Sequence, residues 1–331
     1  MLGFEDILGH DQIKDYFKNA LERHQVSHAY ILTGEAGMGR KTLANAFAMA
    51  LQCGDEDARA CGSCHSCRQF MSGNHPDVVY VRHEKPGSIG VDDVRGQIIN
   101  DVFIKPYSSP YKIYIVDQAE LLTIAAQNAL LKTIEEPPEY VVLFLLTTNS
   151  ESFLPTILSR CTILKLKPLY DQVIKTYLKE HKKVSDHQAD VCAAFARGNL
   201  GKAIALSSSE EFLRMQEMVL DLVTHVQEME VREMLVSLRE MKEANLNFEE
   251  CLDFMQLWYR DVLMFKATKD TSMFIFKDEY RYIKELADHS SFDGIEKILK
   301  AIDKASLRLS ANVNFEVAME LMLLVMKENF V

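Results

Sequence analysis

The sequence predicts an α/β domain built on a parallel sheet, followed by a small helical segment and an all-α C-terminal part. Three observations carry this. Short apolar runs that read as strands, 29–33, 112–118 and 141–149, alternate with amphipathic helical stretches in the first half of the chain. A glycine-rich loop follows the first run and opens a helix whose stripe is Leu43, Ala46, Phe47, Ala50 and Leu51. From Pro168 onward apolar residues recur at helical spacing, as in Phe212, Met215, Val219, Leu222, Val223 and Val226.

The loop is Gly34-Glu35-Ala36-Gly37-Met38-Gly39-Arg40-Lys41-Thr42. A phosphate-binding P-loop wants a Gly, four residues, a second Gly, then Lys and Ser or Thr, because backbone amides cradle phosphate, the Lys meets the β/γ oxygens and the hydroxyl holds Mg²⁺. Gly34 and Gly39 fit this frame, with Gly37 between them. Arg40 stands at the Lys position and Lys41 at the hydroxyl position. Thr42 arrives one residue late, and one helical residue turns a side chain by about 100°, away from a metal. This reads as a P-loop whose catalytic end has decayed; a plain glycine turn is the alternative.

Downstream, Lys112-Ile113-Tyr114-Ile115-Val116-Asp117-Gln118 reads as a strand closing on an acid. A strand-end Asp at this place holds Mg²⁺ in nucleotide hydrolases. In ATPases of the AAA+ type a water-activating Glu follows it, and Gln118 cannot take a proton at neutral pH. Two independent defects in one nucleotide site point to lost hydrolysis and leave ATP binding doubtful. Gly34, Gly37, Gly39, Arg40, Lys41, Thr42 and Asp117 are the residues of this degenerate site.

Between the two motifs lie Cys53, Cys61, Cys64 and Cys67, separated by seven, two and two residues. Overlapping Cys-x-x-Cys steps suit tetrahedral Zn²⁺ held by four thiolates, with no position left for a reactive water, so a structural zinc module over 53–67 is expected. Disulfides are the alternative, disfavoured in a reducing compartment. His65 is surplus to the ligand set and reads as solvent-facing. Cys161, Cys192 and Cys251 are widely spaced in apolar contexts and read as buried core thiols.

Composition narrows the class further. At 331 residues, two or three domains are expected, and 48% hydrophobic content supplies their cores. No run approaches the roughly eighteen apolar residues of a membrane span. The opening stretch, Met1 to Asp6, lacks a basic-then-apolar leader, which points to the cytoplasm. A net charge of −11 makes a poor stand-alone nucleic-acid binder, since that affinity comes from Lys and Arg on phosphates. A stand-alone zinc-dependent DNA-binding protein is therefore disfavoured.

The most specific stretch comes next. The helix Ala125-Ala126-Gln127-Asn128-Ala129-Leu130-Leu131-Lys132-Thr133-Ile134-Glu135-Glu136 stops at Pro137-Pro138. The strand 141–149 and then Leu154-Pro155-Thr156-Ile157-Leu158-Ser159-Arg160-Cys161 follow. This order, the Asn-Ala-Leu-Leu-Lys-Thr-Ile-Glu-Glu-Pro-Pro segment and the closing Ser-Arg-Cys resemble the AAA+ sliding-clamp loader subunits of bacterial DNA polymerase III. The cysteines behind the P-loop helix belong to the same pattern. The resemblance is strong over about the first 205 residues and weaker beyond.

The resemblance implies an AAA+ P-loop domain with its zinc module over 1–166, a helical lid over 167–206 and a helical collar for oligomerisation over 207–331. It implies partners as well: gamma/tau motor and delta subunits, the sliding clamp, and primed DNA within the assembly. Arg160 would act in trans as an arginine finger on the ATP of a neighbouring motor, a role suited to a permanently charged, forked guanidinium; an arginine paired with a surface carboxylate is the alternative. Motor subunits carry Lys-Thr, Asp-Glu and a lid arginine where this chain has Arg40-Lys41, Asp117-Gln118 and Gly201. The chain also begins without the residues that help enclose nucleotide in the motor. These departures favour a non-hydrolysing subunit of the polymerase III holoenzyme over a gamma/tau-like motor ATPase with an atypical P-loop.

Some positions stay open. Thr148 and Asn149 match the family's sensor position at a strand end, or only pack and cap. Residues 89–95 open another helix, on which Arg95 touches DNA backbone or, more in keeping with its setting, lies on a solvated face. The closing run Val317 to Met326 is too apolar for one face, so that helix is either central to its domain or shared with neighbouring chains. Phe315 stands where the family commonly has proline.

Overall fold

The computed structural model describes residues 3–55, 60–272 and 274–329; Met1 and Leu2 of the opening stretch lie outside them. These residues form two compact units, one of residues 1–169 with Asn199–Gly201 and one of Tyr170–Gly198 with 202–331.

The first unit contains α1 (Asp11–Glu22), β1 (Ala29–Thr33), α2 (Arg40–Gln52), α3 (His65–Met71), β2 (Val78–Val81), α4 (Val91–Val94, continued by a π turn over Arg95–Ile99), β3 (Lys112–Val116), α5 (Ile124–Glu135), β4 (Val141–Thr147), α6 (Pro155–Leu158) and β5 (Thr162–Lys165). The five strands are parallel, in the order β2-β3-β4-β1-β5. Every residue of β1, β3 and β4 is buried, which is why they read as unbroken apolar runs. Edge strand β5 buries less.

Successive strand residues point to opposite faces, so each strand feeds two cores. Tyr30, Leu32, Ile113, Ile115, Phe144 and Leu146 meet α1, α2 and α3, with Phe17 stacked on Phe47 at 4.0 Å. On the other face Ile31, Tyr114, Val116, Leu143 and Leu145 meet Val94, Leu130, Ile134 and Ile157. The expected α/β sandwich around a parallel sheet is thus present.

Four expectations need correction, the first being that β3 closes at Val116, so that Asp117 and Gln118 lie in the turn after it. The strand after the double proline ends at Thr147, because the Thr147 hydroxyl donates to the Asn149 carbonyl at 2.9 Å and the Asn149 side chain caps the next turn at Glu151 N. Cys161 is only partly buried, since it follows α6 at the surface, whereas Cys192 and Cys251 are buried as expected. The helix expected from residue 89 starts at Val91.

The second unit is all helical: α7 (Asp171–Tyr177), α8 (Asp186–Ala196), α9 (Leu200–Ser207, its first residues packing in the first unit), α10 (Glu210–His225), α11 (Val231–Glu243), α12 (Phe248–Thr268), α13 (Tyr280–His289), α14 (Phe292–Ser310) and α15 (Phe315–Glu328). Phe254, Trp258 and Phe276 pack at its centre. The Asn314 side chain caps α15, and Phe315, first in that helix, stacks on Phe248 at 3.8 Å. Ala318, Met319, Met322, Leu323 and Met326 turn inward, while Val317 and Leu321 remain 49% and 44% exposed. No helix among the described residues is long and apolar enough to cross a membrane.

Candidate functional site

The C-terminal ends of parallel strands are where such sheets place ligands, and the loops after β1, β3 and β4 converge there. Gly34 N donates to Thr147 O at 3.2 Å, tying the glycine loop to the end of β4. Gly37 and Gly39 have φ of 88° and 97°, a left-handed backbone that only glycine adopts without strain, and Gly39 starts α2. The glycine loop thus turns from the end of β1 into the start of α2.

Its working groups are committed elsewhere. Lys41 Nζ lies 3.2 Å from Asp117 Oδ2 and 5.9 Å from the centre of the Tyr80 ring. The position expected for a metal is thus spanned by an ammonium–carboxylate pair. Thr42 is exposed at the surface of α2, and Arg40, with 9% exposure, is buried with Nη1 unpartnered. Met38 Sδ accepts the Glu35 N–H at 3.2 Å, which removes one amide from phosphate binding. The loop carbonyls are taken too: His10 Nε2 bonds Met38 O at 3.0 Å, Asn199 Nδ2 donates to Ala36 O at 2.7 Å and Gly201 N to Gly37 O at 3.1 Å.

Gly201, where the family resemblance leads to the expectation of an arginine, packs on the glycine loop. A Cβ there would lie 2.6 Å from Gly37 O and 2.7 Å from Gly37 Cα. Absence of a side chain is what lets this segment close on the loop.

Gln118 is exposed and left-handed, with φ of 51°. The carboxylate that sequence reasoning missed is Glu120, two residues on. It accepts the Thr148 hydroxyl at 2.8 Å and the Thr148 N–H at 3.3 Å. Burial raises the Glu120 carboxyl, but these and neighbouring donors outweigh it and hold it below the ordinary value. Thr148 and Asn149 accordingly make local bonds, one to Glu120 and one as a cap.

Arg160 follows α6 with its side chain 39% exposed. Nη2 pairs with Glu135 Oε1 at 3.1 Å, and Nη1 donates to Thr156 O at 2.9 Å and Ser159 Oγ at 3.1 Å. In the sequence Glu135 is only part of a helix end, and nothing in the spacing places it beside Arg160.

The four cysteines come together. Cys53 ends α2 and Cys64 caps α3, and the sulfur atoms of Cys53, Cys61, Cys64 and Cys67 all lie within 4.8 Å of one another. Tetrahedral metal–sulfur bonds of about 2.3 Å require sulfurs roughly 3.8 Å apart, so the set fits a metal ion. Backbone N–H groups of Cys61, Cys64 and Cys67 point at Cys53, Cys61 and Cys64 sulfurs at 3.3 to 3.4 Å, as suits thiolates. The Ser63 hydroxyl and the Cys64 and Ser63 N–H groups draw the Cys61 thiol down to about 6, whereas burial pushes Cys67 up. His65 is exposed and stands apart from the cluster.

Behind the module, buried His75 and Asp77 pin it to the sheet. His75 Nδ1 accepts the Asp77 N–H at 3.2 Å, leaving Nε2 to donate to Ser66 and Ser109 hydroxyls at 2.9 and 3.2 Å. The Asp77 carboxylate accepts N–H groups from Tyr107, Ser108 and Ser109.

The chain is similar to known proteins along most of its length. The family described as "DNA polymerase III, delta subunit" matches residues 9–170, and "DNA polymerase III, delta subunit, C terminal" matches 216–328. The chain is 30% identical to the delta' subunit of DNA polymerase III from Bacillus subtilis over 314 residues, 94% of each chain. It is also 30% identical to the tau subunit from the same organism over 286 residues, 80% of this chain, and spans half of that longer relative. A DNA polymerase III gamma subunit-related protein of Thermotoga maritima aligns over 96% of this chain and 99% of its own, with 20% identity and a TM-score of 0.44. The chain belongs to the family of DNA polymerase III clamp-loader subunits.

Proposed function

We propose that this chain is the delta-prime type of clamp-loader subunit: an AAA+ subunit that does not hydrolyse ATP and supplies Arg160 in trans to the nucleotide of a neighbouring gamma/tau motor. The observation that carries this is the Lys41–Asp117 pair, which sets a fixed cation where a hydrolase needs Mg²⁺. Gly34, Gly37, Gly39, Arg40 and Thr42 complete a nucleotide site kept as architecture. Match to the delta' relative over nearly all of both chains supports the same reading.

In this reading the subunit works in the cytoplasm, at the replisome, with gamma/tau and delta subunits, and helps place the sliding clamp on primed DNA as part of the polymerase III holoenzyme. Residues 1–166 are the AAA+-like domain, 167–206 the lid and 207–331 the collar, whose exposed Val317 and Leu321 suit contact with other chains. Zn²⁺ at Cys53, Cys61, Cys64 and Cys67 holds the module at the end of α2 together; it supplies a cross-link, not reaction chemistry.

The tau relative, equal in identity, keeps the motor reading in play, and hydrolysis by the pure chain separates the two. The deciding experiment assembles the chain with motor and delta-type partners and measures DNA-stimulated ATPase. Arg160→Ala lowers it. Arg160→Lys, which keeps charge and loses the fork, lowers it as well. A finger contributes on the order of 10³ to 10⁵ at its own site, but other motor sites dilute the total. Equal turnover and clamp loading with all three side chains would refute the trans role.

A further inference from the structure

We infer that Glu135 is the resident counter-ion of Arg160, and that exchange of the guanidinium from Glu135 to phosphate sets the basal rate at the neighbouring site. The inference rests on the reading of Arg160 as a finger. In this chain both terminal nitrogens of the fork are occupied: Nη2 by Glu135 Oε1 at 3.1 Å, Nη1 by Thr156 O and Ser159 Oγ. A guanidinium so engaged presents little net charge to a distant phosphate.

The pair is built to open. Both side chains are substantially exposed, 39% and 45%, and exposed ion pairs contribute little to stability. Glu135 is the last residue of α5, where the helix end already carries partial negative charge from free carbonyls. Glu135 and Glu136 side by side at that end run against the dipole, an unfavourable arrangement that a cation alongside relieves. Pro137-Pro138 stops the helix there and fixes the carboxylate opposite α6, while Pro155 starts α6 and sets the register that brings Arg160 back to it. Two proline-defined helix ends thus meet at one ion pair.

Glu135 is a positioning residue, acting only through Arg160. Its test is the assembled loader carrying Glu135→Gln, which keeps size and hydrogen bonding but removes the charge. At the site that Arg160 serves, ATP hydrolysis without DNA should rise about three- to tenfold in kcat, the range expected for losing one nearby charge in a watery setting, and the loader's total basal rate should rise by correspondingly less because the other motor sites are untouched. KM for ATP and the DNA-stimulated rate stay near wild type, so the stimulation ratio falls. Glu135→Asp, which retains the charge, restores a low basal rate. In an Arg160→Ala background Glu135→Gln has no effect, which a merely structural role for Glu135 does not explain. A basal rate that is unchanged, or that drops as with Arg160→Lys, overturns the counter-ion role. If Arg160→Ala alone leaves the DNA-stimulated rate untouched, the finger reading itself fails, and that result is obtained without any Glu135 variant. Unchanged thermal unfolding of Glu135→Gln confirms that the fold is not the cause.

Discussion

Lys41 and Asp117, 76 residues apart in the chain, meet at 3.2 Å where β3 ends and α2 begins. Through this pair, the single change at the hydroxyl position of the loop also engages the strand-end acid that the chain retains. An ammonium at the hydroxyl position neutralises the one carboxylate that would hold Mg²⁺.

The isolated chain is therefore expected to show no meaningful ATP turnover. Gln118→Glu alone should not restore it, because Asp117 stays paired with Lys41 and Arg40 stays buried. Combining Gln118→Glu with Lys41→Thr and Arg40→Lys is the minimum that returns metal and phosphate groups together. Steady-state hydrolysis on stringently purified protein decides; turnover of about one per second, within the ordinary enzyme range, from the native chain would overturn the assignment.

The cysteine cluster should hold one Zn²⁺ per chain in protein purified without chelator, read by metal analysis. Cys64→Ser removes a ligand while its hydroxyl can still cap α3, so loss of the metal alone should loosen the module while the helices of the second unit keep their unfolding transition. Acid should release the metal, since protons compete for thiolates as pH falls. Zinc well below one equivalent would sink the prediction.

Where apolar pattern decides structure, the sequence was legible. Strand β1 is read to the residue because both its faces are buried and Gly34 marks its end, whereas β3 stops at Val116, before the Asp117 and Gln118 that its run includes in the sequence. The end of β4 was misread because Thr148 and Asn149 extend an apolar run with residues whose local bonds, to Glu120 and Glu151, appear only once the chain is folded. The cysteine spacing foretold a cluster that the fold does form. Pairs that depend on how α5 faces α6, or how Gly201 faces Gly37, leave no trace in spacing. Glu135 and Glu120 were invisible for that reason, and Gly201 looked only like a lost arginine.

In the second unit Asp190 of α8 is 5% exposed and joins Lys175 at 2.7 Å and Lys277 at 2.8 Å. Burial raises its carboxyl, but the two lysines outweigh that and hold it below the ordinary 3.8. A depressed folded-state value means stability that is fully present above about pH 4 and lost as pH falls through the folded value. Asp190→Asn should cost about 1–2 kcal/mol at neutral pH, below the figure for a fully buried pair because both lysines reach water. It should also flatten the acid limb of the stability curve. Equal losses at pH 7 and pH 3 would show that packing, not charge, is what Asp190 supplies.

The contact between Gly201 and the glycine loop makes the sharpest structural prediction. A methyl at 201 would stand 2.6 to 3.0 Å from three backbone atoms of Gly37, none of which can rotate away as a side chain does. Gly201→Ala should therefore destabilise by about 1–3 kcal/mol, the usual range for overpacking, and should speed hydrogen exchange at the loop amides over 34–39. Gly201→Arg, which restores the lid arginine, should do the same without conferring hydrolysis, since it must first displace the loop it is meant to serve. Gly96→Ala is the matched control: nothing lies within 4 Å of its Cβ position, and it should be neutral or stabilising. If both alanine variants unfold at the same denaturant concentration, the closure of Gly201 on Gly37 is not a constraint on this fold.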